Sequence, residues 1–322
     1  MLVSAPCRLH FGLFHVPADG LHHGTDGTPI RKYGGLGMMV RDQRISVIVD
    51  PDTGSGHEPS APLGARANLI KSKLPGSPPV RISVSGPPEH VGLGVGTALA
   101  MSVGTVLGWD PHSDQLPRLL GRGNRSGIGI EGFRRGGFIV DDGKIGDELP
   151  IIRERIEVPA DWHVVLIRPK IPGDWYGDRE RMAFCRNRTP ANAFDTTRRL
   201  RDLADKQILP ALKSNDFEAF SQGITLFNRI AGEPFAVDQG GPYASPVIAD
   251  LIDQILAWGV LGTGQSSWGP TVFAFTKSED EAVRLQIRLM DSRNDIELPG
   301  ITPADNRGYR VSTQEQTGNP HE

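Results

Sequence analysis

The stretch Pro88-Glu89-His90-Val91-Gly92-Leu93-Gly94-Val95-Gly96-Thr97-Ala98 constrains the fold more than any other, because of what flanks it. Before it, Val80, Ile82 and Val84 alternate with polar residues in the period-two pattern of a strand, closed by Pro87-Pro88. After it, Thr97 to Leu107 has the composition of a buried helix. A strand that turns through closely spaced glycines into a helix lets backbone N–H groups approach an anion where the helix dipole is positive. The order predicts a phosphate-binding turn, and a tight turn with no ligand is the simpler alternative.

The rest of the chain alternates between the same two periods. Residues around Arg8, His10 and Gly12, and again Arg44 to Val49, read as strands. Asp50 to Pro79, rich in Gly, Pro and Ser, reads as a loop around a short helix near Ala67 to Lys73. Phe138 to Val140 and His163 to Ile167 read as later strands, and the charged run Arg153 to Glu157 between them marks a boundary. Thr197 to Phe227 predicts two helices broken at Pro210 and near Ser214-Asn215, and Val247 to Leu256 repeats at helical spacing until Gly259. Thr271 to Phe275 predicts a strand, and Ser278 with Glu281 a capping box opening a last helix to about Met290. The order is α+β in two domains, 1–158 and 159–312, with a polar tail at 313–322.

A formal charge of −3 provides no global basic field, so nucleic acid and anionic membranes are not expected partners and any anion site is local. Of 35 basic residues 27 are arginines, whose planar fork suits phosphate and carboxylate, although GC-rich coding produces the same bias. Cys7 and Cys185 make neither a disulfide framework nor a metal spacing, which fits a reducing compartment. The first residues lack a signal pattern and no apolar run approaches the roughly 18 residues of a spanning helix, so the expected location is the cytoplasm.

The spacing from Pro88 to Ala98 resembles the phosphate loop of the GHMP kinases. Ser126-Gly127-Ile128-Gly129, followed by Gly136-Gly137, resembles a second motif of mevalonate-type kinases, in which the fourth position is the catalytic aspartate. Here that position is Gly129, and Val95 and Gly96 stand where the kinases usually carry serines. The groups expected for ATP phosphoryl transfer are therefore missing. Gly262 to Pro270 falls where the superfamily has its C-terminal glycine motif. Four strings together resemble the β-ribofuranosylaminobenzene 5'-phosphate synthase family of that superfamily: RLHFGL from Arg8, YGGLG from Tyr33, GRGNRSGIGIEGFRRGGFIVDDG from Gly121 and GQSSWGP from Gly264. Weaker agreement comes from Gly177 to Glu180 and Gln239 to Tyr243. The family commonly reads GLGSG where this chain has Val95; Thr97 is the nearest alternative hydroxyl.

The resemblance implies a two-domain GHMP-kinase-like fold, with a ribosomal S5 domain 2-like first half and a ferredoxin-like second half. It also implies a homodimer and a ribosyltransferase of methanopterin biosynthesis, joining phosphoribosyl pyrophosphate to 4-aminobenzoate or 4-hydroxybenzoate with loss of pyrophosphate and carbon dioxide, usually with Mg2+. An ATP-dependent small-molecule kinase and a non-catalytic anion binder are the competing readings. For the transferase, Arg118, Arg122, Arg125, Arg134 and Arg135 are candidates for a phosphate clamp, at least two of them expected on a solvated face. Arg8 and His10, two apart on a strand, share one face opposite Leu9 and Phe11, and are candidates for the catalytic centre, with His10 a hydrogen-bond donor or proton shuttle near neutral pH. Gly92, Gly94, Gly96, Thr97, Ser126, Gln265, Ser266 and Ser267 complete the candidate substrate site. Asp19, Asp26, Asp141 and Asp142 are candidate magnesium carriers, although Asp141-Asp142-Gly143 reads more readily as a hairpin turn. His22-His23 lacks partners spaced for zinc. Trp175, Tyr176 and Trp268 are candidate walls for an aromatic acceptor.

Overall fold

A computed structural model describes residues 1–15, 31–51, 62–171 and 193–312. Its first sheet is built on two long strands, β1 (Leu2–His15) and β2 (Tyr33–Pro51), paired antiparallel from Leu2↔Ile48 to His15↔Tyr33. β3 (Val80–Ser85) and β4 (Phe138–Asp141) pair with opposite ends of β2, and β5 (Ile152–Ile156) closes one edge. The charged run read as a boundary is thus an edge strand, where charges discourage pairing with a second chain.

One face of this sheet is covered by α1 (Pro62–Lys71), α2 (Val95–Val106) and α4 (Ile128–Arg135); α3 (Gln115–Leu119) packs beside α2. α2 is buried almost throughout, which is why its sequence shows no polar stripe. The second sheet runs β7 (Thr263–Gln265), β8 (Val272–Thr276), β6 (His163–Pro169), β9 (Ile296–Pro303). After β9 the chain returns to the first sheet as β10 (Arg310–Ser312), beside β1.

Between β6 and β7 the chain is helical among the described residues: α5 (Ala193–Leu203), a π segment Ala204–Ile208, α6 (Leu209–Lys213), α7 (Phe217–Gly232), α8 (Ala236–Gln239) and α9 (Pro246–Ala257). Pro210 does not break the chain as its sequence position suggests. The wide π turn just before it opens the hydrogen-bond ladder where proline offers no N–H, and the break comes later, where Asn215 adopts φ +60° and Asp216 caps α7. α10 (Glu279–Ser292) starts at Ser278, whose hydroxyl accepts from Glu281 N–H at 3.3 Å.

Period two divides the second sheet cleanly. Val165, Ile167, Val272 and Ala274 pack in one cluster with α9 and α10 residues such as Ile252, Ile255 and Leu289. Val164, Leu166, Phe273 and Phe275 point the other way, into the core shared with the first sheet. There Phe11 of β1 stands 5.1 Å from Phe273 and 5.7 Å from Phe138, and Phe220 of α7 stands 5.3 Å from Phe275. Each fully buried ring contributes about 1.5–3 kcal/mol, so this aromatic knot fixes one sheet against the other. No described helix is long and apolar enough to cross a membrane.

Candidate active site

A cleft of about 420 Å3 opens beside the aromatic knot, and its floor is the middle of β1. Arg8 and His10 reach it as neighbours two apart on a strand should. Phe11, expected on the opposite face, touches both core and cleft, because the β1/β2 register slips between His10 and Gly12. Gly12 follows at φ +145°, a conformation that favours glycine.

Three separate sequence motifs are stitched together here. The His10 N–H donates to Ser266 Oγ at 3.1 Å, and that hydroxyl donates onward to Gly92 O at 2.8 Å. The Ser267 N–H donates to His10 O at 3.0 Å, and the Arg8 N–H to Leu93 O at 2.9 Å. Ser266 therefore joins β1, the turn before α2 and the loop after β7 from below the cleft.

Of the residues expected at a site, Arg8, His10, Thr97, Arg122, Arg125, Ser126, Gln265 and Ser267 line the cleft, and Gly92, Gly94, Gly96 and Ser266 do not. Gln265 spends its side chain on the protein, accepting from Ala244 N–H at 2.9 Å and donating to Gly269 O at 3.0 Å. The cationic clamp is narrower than the arginine run suggests. Arg134 donates to Pro111 O and Ser113 O, Arg135 pairs with Glu131 and Arg118 donates to Asp147 O, so these three hold the fold and do not line the cleft. Arg122 and Arg125 remain. Burial, and secondarily the charge of Arg66, lower the pKa of the Arg122 guanidinium, and its Nε is buried with no hydrogen-bond partner among the described residues. Such a group fits an anion.

His10 is almost wholly buried. Burial first, and then the charge of Arg8, hold its pKa well below the usual imidazole range. A ring held neutral near pH 7 offers one donor and one acceptor.

Asp141 and Asp142 do not line the cleft. Asp141 accepts from Gly127 N–H at 2.7 Å, at the start of α4, and from Gly143 N–H at 2.8 Å, while Asp142 pairs with Arg201 at 3.1 Å. Among the described residues no carboxylate lines the cleft and no cluster of three metal-ligating side chains exists, so this lining does not fit a magnesium ion held by the protein. Asp19, Asp26, His22, His23, Trp175, Tyr176, Cys185 and the 177–180 string lie outside the described residues. At Gly129 a Cβ would stand 3.0 Å from the Thr97 methyl, so Thr97 crowds the place where kinases carry their base.

Part of the lining is apolar. Trp268 stacks edge to face on Phe235 at 5.0 Å, and with Leu13 they form a small cluster apart from the main core. Two contributors escaped the sequence reading, Phe235 and Asn228. Asn228 donates to Phe11 O at 2.6 Å and Gln265 O at 2.9 Å and accepts from Gln265 N–H at 2.8 Å, tying β1 to β7 under the cleft. Its signal was there to find: a polar residue within the buried helical stripe Ile224, Phe227, Ala231.

The fold agrees with that of known proteins. Homoserine kinase from Cytophaga hutchinsonii aligns with a TM-score of 0.65 at 14% identity, covering 97% of both chains. Mevalonate pyrophosphate decarboxylase from Streptococcus pyogenes aligns with 0.61 at 12%, covering 95% of this chain and 96% of its own. These likenesses establish the GHMP-kinase-like fold, and the GHMP kinases C terminal family matches residues 208–291. β-Ribofuranosylphenol 5'-phosphate synthase of Archaeoglobus fulgidus is 30% identical over 241 residues, 69% of this chain and 72% of the relative. The chain belongs to the β-ribofuranosylphenol 5'-phosphate synthase family. The synthase of the same name from Methanothermobacter thermautotrophicus is 26% identical over 306 residues, 86% of this chain and 88% of its own. Membership makes the chain an enzyme of the glycosyltransferase type.

Proposed function

We propose that this enzyme joins phosphoribosyl pyrophosphate to a 4-substituted benzoate, releasing pyrophosphate and carbon dioxide. The observation that carries the reading is the mixed lining of the cleft: Arg8, Arg122, Arg125, Ser126 and His10 share it with the edge-to-face pair Phe235 and Trp268. The product in the relatives' name, a ribosyl phenol phosphate, favours 4-hydroxybenzoate, with 4-aminobenzoate the alternative. A kinase reading loses support because Thr97 crowds Gly129 and no carboxylate lines the described cleft.

The chemistry follows from where charge develops. As the C1–O bond of the donor breaks, positive charge grows on the sugar and negative charge on the departing pyrophosphate, and fixed guanidinium groups favour the second without rearranging at the moment of reaction. The 4-substituent pushes electron density to the ring carbon bearing the carboxylate, and that carbon forms the bond to C1. The bond to the carboxylate then breaks, its electron pair restoring the aromatic ring as carbon dioxide leaves. An apolar wall suits this step, since burial disfavours the charged carboxylate more than the neutral product. Neutral His10 orients donor hydroxyls or the ring substituent. Magnesium chelated by the donor's own phosphates would arrive as part of the substrate, and no step here depends on it.

Incubation of the purified protein with magnesium, phosphoribosyl pyrophosphate and 4-hydroxybenzoate should release pyrophosphate and carbon dioxide in equal amounts. ATP turnover without that release would replace the reading with a kinase; neither activity, with anions still bound, would leave a binding protein.

A further inference from the structure

The glycine turn that first suggests a phosphate site is filled by the protein itself. Gly94 sits at φ +66° immediately before α2, and a Cβ there would stand 2.5 Å from both Cγ and Nε of Arg8 and 2.9 Å from its Cδ. The backbone closes on the same side, the Arg8 N–H donating to Leu93 O at 2.9 Å. Gly92 is equally enclosed: a Cβ would strike Ser266 O, and the Cβ of a residue replacing Gly269 would strike Gly92 N. None of residues 92 to 96 lines the cleft, whereas Arg8 does.

We propose that Gly94 is a positioning residue that seats the Arg8 side chain, so that the donor's diphosphate is recognised by a guanidinium and not by the backbone N–H groups of the glycine turn. The inference rests on the cleft taking a phosphorylated sugar donor, and it assigns the turn a different duty. Backbone N–H groups of a glycine turn wrap a polyphosphate chain. A planar fork instead pairs with two oxygens of a compact diphosphate. A site built this way selects a sugar diphosphate over a nucleoside triphosphate, although the fold around it is that of ATP-dependent kinases.

Titration calorimetry with inorganic pyrophosphate, on the full chain, tests the seat. Gly94→Ala and Arg8→Gln should each weaken binding about tenfold or more, and Gly94→Ala should add less than about twofold once Arg8 is Gln, because nothing remains to displace. Gly94→Asn separates crowding from backbone strain: asparagine tolerates the left-handed conformation yet still pushes into Arg8, so it should weaken binding as alanine does. ATP should not displace pyrophosphate from the unaltered protein. Wild-type affinity in both Gly94 variants, or losses that simply multiply in the double variant, would overturn the seat and leave the donor reading intact. Failure of the unaltered protein to bind pyrophosphate would overturn both.

Discussion

The turn into α2 and the turn into α4 look alike in sequence and are put to opposite use. Both are rich in glycine and both deliver the chain to a helix. In the first, Gly92 and Gly94 are pressed against Ser266 and Arg8, and the backbone is withdrawn from the cleft. In the second, a Cβ added at Gly121 would meet nothing within 4 Å, one at Gly123 would meet the Leu149, Ile130 and Pro150 side chains, and Arg122 to Ser126 all line the cleft. Glycine spacing therefore reports the path of the backbone. Whether that path serves a ligand depends on which side chains crowd it.

If the second turn is the one that meets the donor, Arg122→Ala should cost the most. Losing one preorganised cationic contact to the leaving group lowers kcat/KM about 10²–10³-fold, and steady-state kinetics with unchanged thermal melting would show it. A loss under threefold would return the donor to the glycine turn.

Asn228 holds the two sides of the cleft to a common floor. Asn228→Leu should destabilise the protein by about 1–3 kcal/mol, because Phe11 O, Gln265 O and Gln265 N–H lose a partner in a buried place. The urea midpoint measures this, and an unshifted midpoint would show the floor to be held elsewhere.

A smaller effect sharpens the electrostatic side of the comparison. His10 in the unfolded chain takes a proton below about pH 6.5, whereas the buried ring resists it, since burial and Arg8 lower its pKa. The unfolded state thus binds more protons as pH falls, so stability should drop below about pH 6.5 by up to about 1.4 kcal/mol per pH unit for this group, and be insensitive to it above. His15, lowered chiefly by its burial, adds in the same sense. Comparing urea midpoints of the wild type and His10→Gln at pH 5.5 and 7.5 isolates the His10 share; identical pH dependence would mean the ring titrates normally. Smallest of all in its effect on turnover, Arg135→Ala strips an exposed guanidinium from the buried Glu131. It should leave turnover within about twofold, and a larger kinetic loss would extend the clamp beyond Arg122 and Arg125.

How far the sequence could be read depended on whether a residue's neighbours in the chain were also its neighbours in space. Arg8 and His10 were legible because period two alone sends both to one face. Phe11 keeps the core side that alternation predicts, but that it also borders the cleft was not legible, since this depends on a register slip with β2, about 25 residues away. β9 escaped because Pro299, Gly300 and Pro303 read against a strand, yet β9 lies at a sheet edge, where a missing N–H goes unnoticed. The arginine run announced a cationic segment. Sorting Arg122 and Arg125 from Arg118, Arg134 and Arg135 required knowing which of them the folded chain brings to the cleft.

The ring-to-ring contacts of Phe11, Phe138, Phe220, Phe273 and Phe275 set a mechanical limit on the enzyme. Both banks of the cleft grow from this one keel, so prising them apart would mean pulling stacked rings into water. The two sheets should accordingly melt as one body, and the reaction chamber should hold its width through turnover, leaving admission of reactants to the side chains and loops at its rim.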